Sequence, residues 1–172
     1  MIPVDVGIIY QIPPNTADGY LATYFQLELP RRVYCSALDL CALVKSSIDK
    51  WNSLRPGLFE MSDDPNSPVV VMLTDGRTWV SMPVSDNKAT LYIGPDVDIE
   101  YWMPHELGHA LGLADHVYPN QDLTGYVNPK FTTDGYRGVM AYGVPPVEWF
   151  GSADSAMLHL TYPMPVRAYF PI

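Results

Sequence analysis

His105-Glu106-Leu107-Gly108-His109-Ala110-Leu111-Gly112-Leu113-Ala114-Asp115-His116 is the stretch that decides how this chain is read. Two histidines four apart on a helix project from one face, one turn above each other, and can share a metal ion. Glu106 stands one step round from His105, where its carboxylate can reach a water on that metal without binding the metal itself. Imidazole nitrogens suit zinc, and three protein ligands leave the fourth position for water. Gly112 follows where the helix needs to end and the chain to turn sharply. Asp115 and His116 come next and offer a third ligand on the returning chain. Three of the chain's four histidines lie within this one segment. A helix with a purely structural role has little reason for such a concentration.

Working outward, Asp98 to Met103 reads as the start of the same helix, and Pro104 conflicts with it. A proline inside a helix removes one hydrogen bond and crowds the preceding turn. The expectation is a helix that starts near Asp98 and is distorted at Pro104. Upstream, Ser36 to Asn52 reads as an amphipathic helix, because Ala37, Cys41, Val44, Ile48 and Trp51 recur at three- and four-residue spacing. Ser36 followed by Asp39 resembles a capping pair, and Pro56-Gly57 lies beyond the end. Val69 to Leu73 (VVVML) and Ala89 to Ile93 (ATLYI) read as strands ended by turn residues, with a further strand between them at Trp79 to Val84. Val4 to Ile12 and Tyr20 to Leu29 read as two extended segments joined as a hairpin. After Gly112 roughly forty residues read as irregular, and a loop that long usually carries function. A last helix is expected from Ser152 to Thr161.

The helix segment HELGHALGLAD resembles the extended zinc motif of the metzincins, HExxHxxGxx followed by a third ligand. Val139-Met140-Ala141-Tyr142-Gly143 resembles the Met-turn of that clan, and Ser152 to Tyr162 resembles the closing helix of its matrix-metalloprotease-like members. The likeness is specific over His105 to Gly143 and loose over Ser36 to Tyr162. It implies an α+β zincin domain, with a twisted mixed sheet packed on two main helices and a C-terminal helix after the Met-turn. Residues 1–172 would form one catalytic domain. At the third-ligand position most metzincins have His, whereas this chain has Asp115, as snapalysins do; His116 is the alternative. The resemblance therefore implies one catalytic zinc on His105, His109 and Asp115, with Glu106 as general base and Met140 as an apolar floor that binds nothing. Tyr142 stands where astacin-like and serralysin-like members carry a mobile tyrosine, so its hydroxyl is the implied donor to the oxyanion; alternatively it lines the pocket wall. Ala89 to Ile93 would be the edge strand along which a peptide binds. The implied activity is hydrolysis of internal peptide bonds by a monomer, in an extracellular setting, although no signal peptide is visible in the chain.

Two other readings compete. A thermolysin-like arrangement would take Glu148 as third ligand. A non-catalytic module could use the metal for structure, but a closed structural site needs no general base and would fill its fourth position with protein. Composition narrows the partners. With 172 residues and 48% hydrophobic content the chain can bury a real core. Its formal net charge of -9 argues against nucleic acid or an anionic membrane as partner, since both need clustered Lys and Arg. No window is apolar enough to span a bilayer. Asp96, Asp98 and Asp122 invite a calcium site, but no spacing here amounts to a calcium loop. Cys35 and Cys41, the only cysteines, are expected as free thiols, with Cys41 on the buried helix face.

Overall fold

The computed structural model describes residues 2–11, 20–81, 87–113, 139–140, 154–155, 158 and 161–162, and for 2–26 the backbone only. The first two strands, β1 (Ile2–Gln11) and β2 (Tyr20–Gln26), pair antiparallel as their own two-stranded sheet, with Tyr10 opposite Leu21. The main sheet has five strands: β3 (Arg31–Cys35), β4 (Phe59–Met61), β5 (Val69–Leu73), β6 (Trp79–Ser81) and β7 (Ala89–Ile93). Their order is β4-β3-β5-β7-β6, with β6 alone antiparallel to its neighbour. Parallel neighbours need crossovers, and the helix α1 (Cys41–Leu54) supplies the one from β3 to β4.

Alternation sets which side of the sheet is dry. Val69 and Val71 on β5 lie beside Ala89 and Leu91 on β7, and all four are buried, while Val70 and Thr90 between them are half-buried. On the dry side these strands join Val44, Ile48 and Trp51 of α1 and Met103, Leu107 and Ala110 of the second helix, α2 (Ile99–Ala110), in one core. The arrangement is the mixed sheet with two main helices that the resemblance implied. Of the expected last helix, Asp154, Ser155, Leu158 and Thr161 are described and are helical.

Three expectations are corrected. Cys35 and Cys41 are joined in a disulfide, with Cα atoms 5.6 Å apart. The bridge is possible because α1 begins at Cys41, after a 3-10 turn over Leu38–Leu40, and not at Ser36; both cysteines are half-buried. Ser36 caps nothing: its hydroxyl donates to the Val71 carbonyl at 2.9 Å. Second, Ala89 to Ile93 is an interior strand. Trp79 to Ser81 pairs along its outer side, with Trp79 stacked on Tyr92 at 4.3 Å between centroids, so β6 is the edge. Third, β4 was not expected at all. Its start is tied to the end of α1 by Asn52, whose side-chain oxygen accepts from the amides of Leu58 and Phe59 while its NH2 donates to the Phe59 carbonyl.

Candidate metal centre

Helix α2 starts after Asp98 and carries Pro104 in its interior. Proline cannot supply the amide that the Glu100 carbonyl would take. The turn is held from outside instead, since the Trp51 indole N–H donates to the Pro104 carbonyl at 2.8 Å. From Met103 to Gly108 every residue is buried, so the half of α2 that bears the motif is enclosed. His105 is 3% exposed and Glu106 is 8% exposed. His109 is half-buried one turn on, its ring 4.8 Å from that of His105 and at 89° to it. The Trp102 ring meets His105 edge-on at 5.0 Å.

The ring orientations have identifiable causes. His105 Nδ1 lies 2.7 Å from the Val139 carbonyl, and His109 Nδ1 lies 2.9 Å from the Leu113 carbonyl. A carbonyl only accepts, so each Nδ1 carries a proton, and Nε2 is the nitrogen left to bind a metal. That tautomer is the one a metal ligand needs, fixed by the second bond that metal-binding histidines commonly make. Val139 is itself held in place. The fully buried Asp154 carboxylate accepts from the amides of Val139 at 2.8 Å and Met140 at 3.0 Å. Met140 is fully buried against α2 at Gly108, where an added Cβ would come within 2.2 Å of the Met140 sulfur and 2.9 Å of the Trp51 ring.

The helix ends as its glycine suggests. Gly112 has φ of +82°, its amide donates to the His109 carbonyl at 2.9 Å, and the Leu113 amide donates to the Gly108 carbonyl at 3.3 Å. This pair of bonds is a Schellman turn. Because it brings Leu113 back beside the helix, the same turn delivers the carbonyl that orients His109. Two residues from far along the chain hold the next carbonyls: Arg31 Nε donates to Ala110 at 3.0 Å, and the Tyr162 hydroxyl donates to Leu111 at 2.5 Å. Burial pulls the Arg31 guanidinium down to about 10 and pushes the Tyr162 phenol up to about 12.

The chain folds like myroilysin. One myroilysin structure matches over 95% of this chain and 95% of its own, with a TM-score of 0.56 and 15% identity. A second covers 81% of this chain and 96% of its own, with a TM-score of 0.54 and 14% identity. At such identity the likeness to myroilysin establishes a metalloprotease fold; the roles of residues rest on the geometry above. No protein-family model and no curated protein sequence matches the chain.

Of the residues singled out in the sequence, the structure brings together His105, Glu106, His109, Gly112 and Met140. Asp115, His116, Tyr142 and Glu148 lie outside the described residues, as does Asp122 of the acidic trio. Among the described residues no three metal-ligating side chains converge. Asp96 is engaged otherwise: its carboxylate accepts from the Thr78 amide and hydroxyl, which holds it below the usual carboxylate range. Sequence reasoning missed Arg31, Trp51, Gly108, Asp154 and Tyr162. A glycine in mid-helix costs about 1 kcal/mol against alanine. Gly108 therefore signalled a close packing partner; Trp51 was read only as part of an apolar face and Asp154 and Tyr162 only as part of the closing helix, and Arg31 gave no sign.

Proposed function

We propose that this chain is a zinc-dependent endopeptidase, one metalloprotease domain over residues 1–172, that hydrolyses internal peptide bonds. The carrying observation is the pair His105 and His109 on adjacent turns of α2, each with Nδ1–H donated to a backbone carbonyl. The donor set fits the metal, since two imidazoles with Nδ1–H bonded to carbonyls leave their Nε2 atoms to face it beside a buried carboxyl. Asp115 completes the set in this reading, with His116 as the alternative. A zinc ion held by these residues would supply Lewis acidity toward the scissile carbonyl and the attacking water.

The chain's own residues do the rest. Glu106 accepts the proton of the attacking water and returns it to the leaving amine nitrogen, general base and then general acid. Its burial keeps that exchange away from bulk solvent. The Tyr142 hydroxyl donates to the oxygen that gains negative charge as the carbonyl becomes tetrahedral. Edge strand β6 takes the peptide in extended form by strand addition, with Trp79, half-exposed at 52%, offering an aromatic surface beside it. The Cys35–Cys41 disulfide favours maturation in an oxidising compartment, in keeping with an exported enzyme. Among the described residues no helix is long and apolar enough to cross a membrane.

The test is digestion of defined peptides by the wild type and by Glu106→Ala, with products sequenced by mass spectrometry and zinc measured in both proteins. Cleavage by the wild type, abolished by a chelator and lowered by roughly 10²–10⁴-fold in the variant, is the expected outcome. If neither zinc-loaded, folded protein cleaves, the non-catalytic binding module becomes the better reading.

A further inference from the structure

We infer that Arg31 and Tyr162 are positioning residues for the metal ligand His109, acting through the last carbonyls of α2. The inference rests on the zinc reading of the site and adds to it two residues outside its motifs. The end of a helix leaves carbonyls that need donors from elsewhere. Here the donors to the carbonyls from Gly108 to Leu111 are identified. The Gly108 carbonyl takes the Leu111 and Leu113 amides and the His109 carbonyl takes the Gly112 amide. The Ala110 carbonyl takes Arg31 Nε and the Leu111 carbonyl takes the Tyr162 hydroxyl. These two side chains thus close the turn whose next residue, Leu113, orients the His109 ring.

Both side chains are themselves anchored. Arg31 NH1 donates to the Asn87 carbonyl at 2.9 Å and to its side-chain oxygen at 2.7 Å, where Asn87 holds φ of 63° just before β7. Arg31 is the first residue of β3, so one guanidinium joins a central strand, the start of β7 and the end of α2. The Tyr162 oxygen accepts the Leu27 amide at 3.2 Å while donating to Leu111. The arrangement is costly as a stabilising device. Arg31 is 1% exposed, and among the described residues its NH2 has no hydrogen-bond partner. An apolar side chain of similar volume commonly serves stability as well as a buried ion does. What an apolar chain lacks is directional donors aimed at the negative end of the helix and at Asn87 together.

The experiment separates positioning from stability. Zinc affinity is measured by competition with a chromogenic chelator, and the cobalt-substituted absorption spectrum is recorded. Both are taken for wild type, Arg31→Met, Arg31→Lys, Tyr162→Phe and the control Ile48→Ala, at a temperature where circular dichroism shows all of them folded. Arg31→Met and Tyr162→Phe are expected to lose roughly 10- to 100-fold in zinc affinity with an altered cobalt spectrum, the usual effect of removing an outer partner of a ligand. Arg31→Lys recovers part of the loss, and Ile48→Ala stays within about threefold of wild type although less stable, because its site partners are intact. Unchanged affinity in Arg31→Met and Tyr162→Phe, or an equal loss in Ile48→Ala, overturns the inference. A wild type that binds no zinc refutes the functional reading instead. The inference is then decided on metal-free protein by histidine-ring NMR: loss of the His109 Nδ1–H signal in Arg31→Met sustains it, and an unaltered signal ends it.

Discussion

Helices α1 and α2 lie in the same core and are built on opposite plans. The first is amphipathic: Val44, Ser47, Ile48 and Trp51 are buried, and Ala42, Lys45, Ser46, Asp49 and Lys50 are exposed. Its apolar spacing alone accounts for its existence. The second is buried almost all round through its motif-bearing half, contains a proline and a glycine, and is held by side chains from other elements. Trp51 takes Pro104, Met140 fills the space at Gly108, and Arg31 and Tyr162 take the last carbonyls. Local preference makes α1; tertiary contacts make α2. The difference teaches where orientation matters: the α1 side chains bond mostly within the helix or to the start of β4, whereas both histidine rings and the last carbonyls of α2 are held by groups outside the helix.

The comparison breaks if damage to α1 disturbs the proposed zinc site as much as damage to α2. The largest stability effect is expected from Ile48→Ala, at about 2–5 kcal/mol for a fully enclosed isoleucine. Chemical denaturation measures it, and zinc affinity is expected to stay at the wild-type level. The next effect comes from the α2 clamp at high pH. The folded pKa of Tyr162 is raised to about 12, so its stabilising contribution is whole below the unfolded value near 10.0 and is lost as pH rises towards 12. Wild type should lose about 2–3 kcal/mol across that window relative to Tyr162→Phe. Parallel slopes for the two proteins would show that the phenol is not held as described.

A smaller change tests how α1 begins. Removing the disulfide with Cys35→Ser and Cys41→Ser is expected to cost about 2 kcal/mol, the loop-entropy value for so short a ring, with zinc affinity retained. Gly108→Ala sets two rules against each other. Helix propensity favours alanine by about 1 kcal/mol, whereas the new Cβ would meet Met140 and Trp51, and overpacking costs about 1–3 kcal/mol. Packing wins by that arithmetic, so the melting temperature should fall slightly and zinc affinity with it. A rise in melting temperature would show that Met140 can move aside.

The same contrast explains what could be read from the amino acids. α1, β5 and β7 were legible because apolar periodicity and β-branched runs are local signals. Gly112 was legible because only glycine suits a turn at φ of +82°. The start of α1 was missed because the 3-10 turn over Leu38–Leu40 has no signature of its own, and the cysteines were misjudged with it. β4 was missed because Phe-Glu-Met carries no strand pattern and forms by pairing along β3. The edge went to β7 and not β6 because strand order is a property of the assembled sheet. Arg31, Asp154 and Tyr162 act through contacts with distant parts of the chain; the closing-helix resemblance placed the last two on a helix but not against their partners.

Tyr162 has one more consequence, which concerns the making of the chain. Its hydroxyl joins Leu27 to Leu111, bridging sequence separations of 135 and 51 residues. Synthesis runs from the N-terminus at roughly 5–20 residues per second. Both histidines therefore leave the ribosome several seconds before the tyrosine that steadies their helix can arrive. A nascent chain therefore carries the two histidines for some time without the hydroxyl that holds the end of their helix.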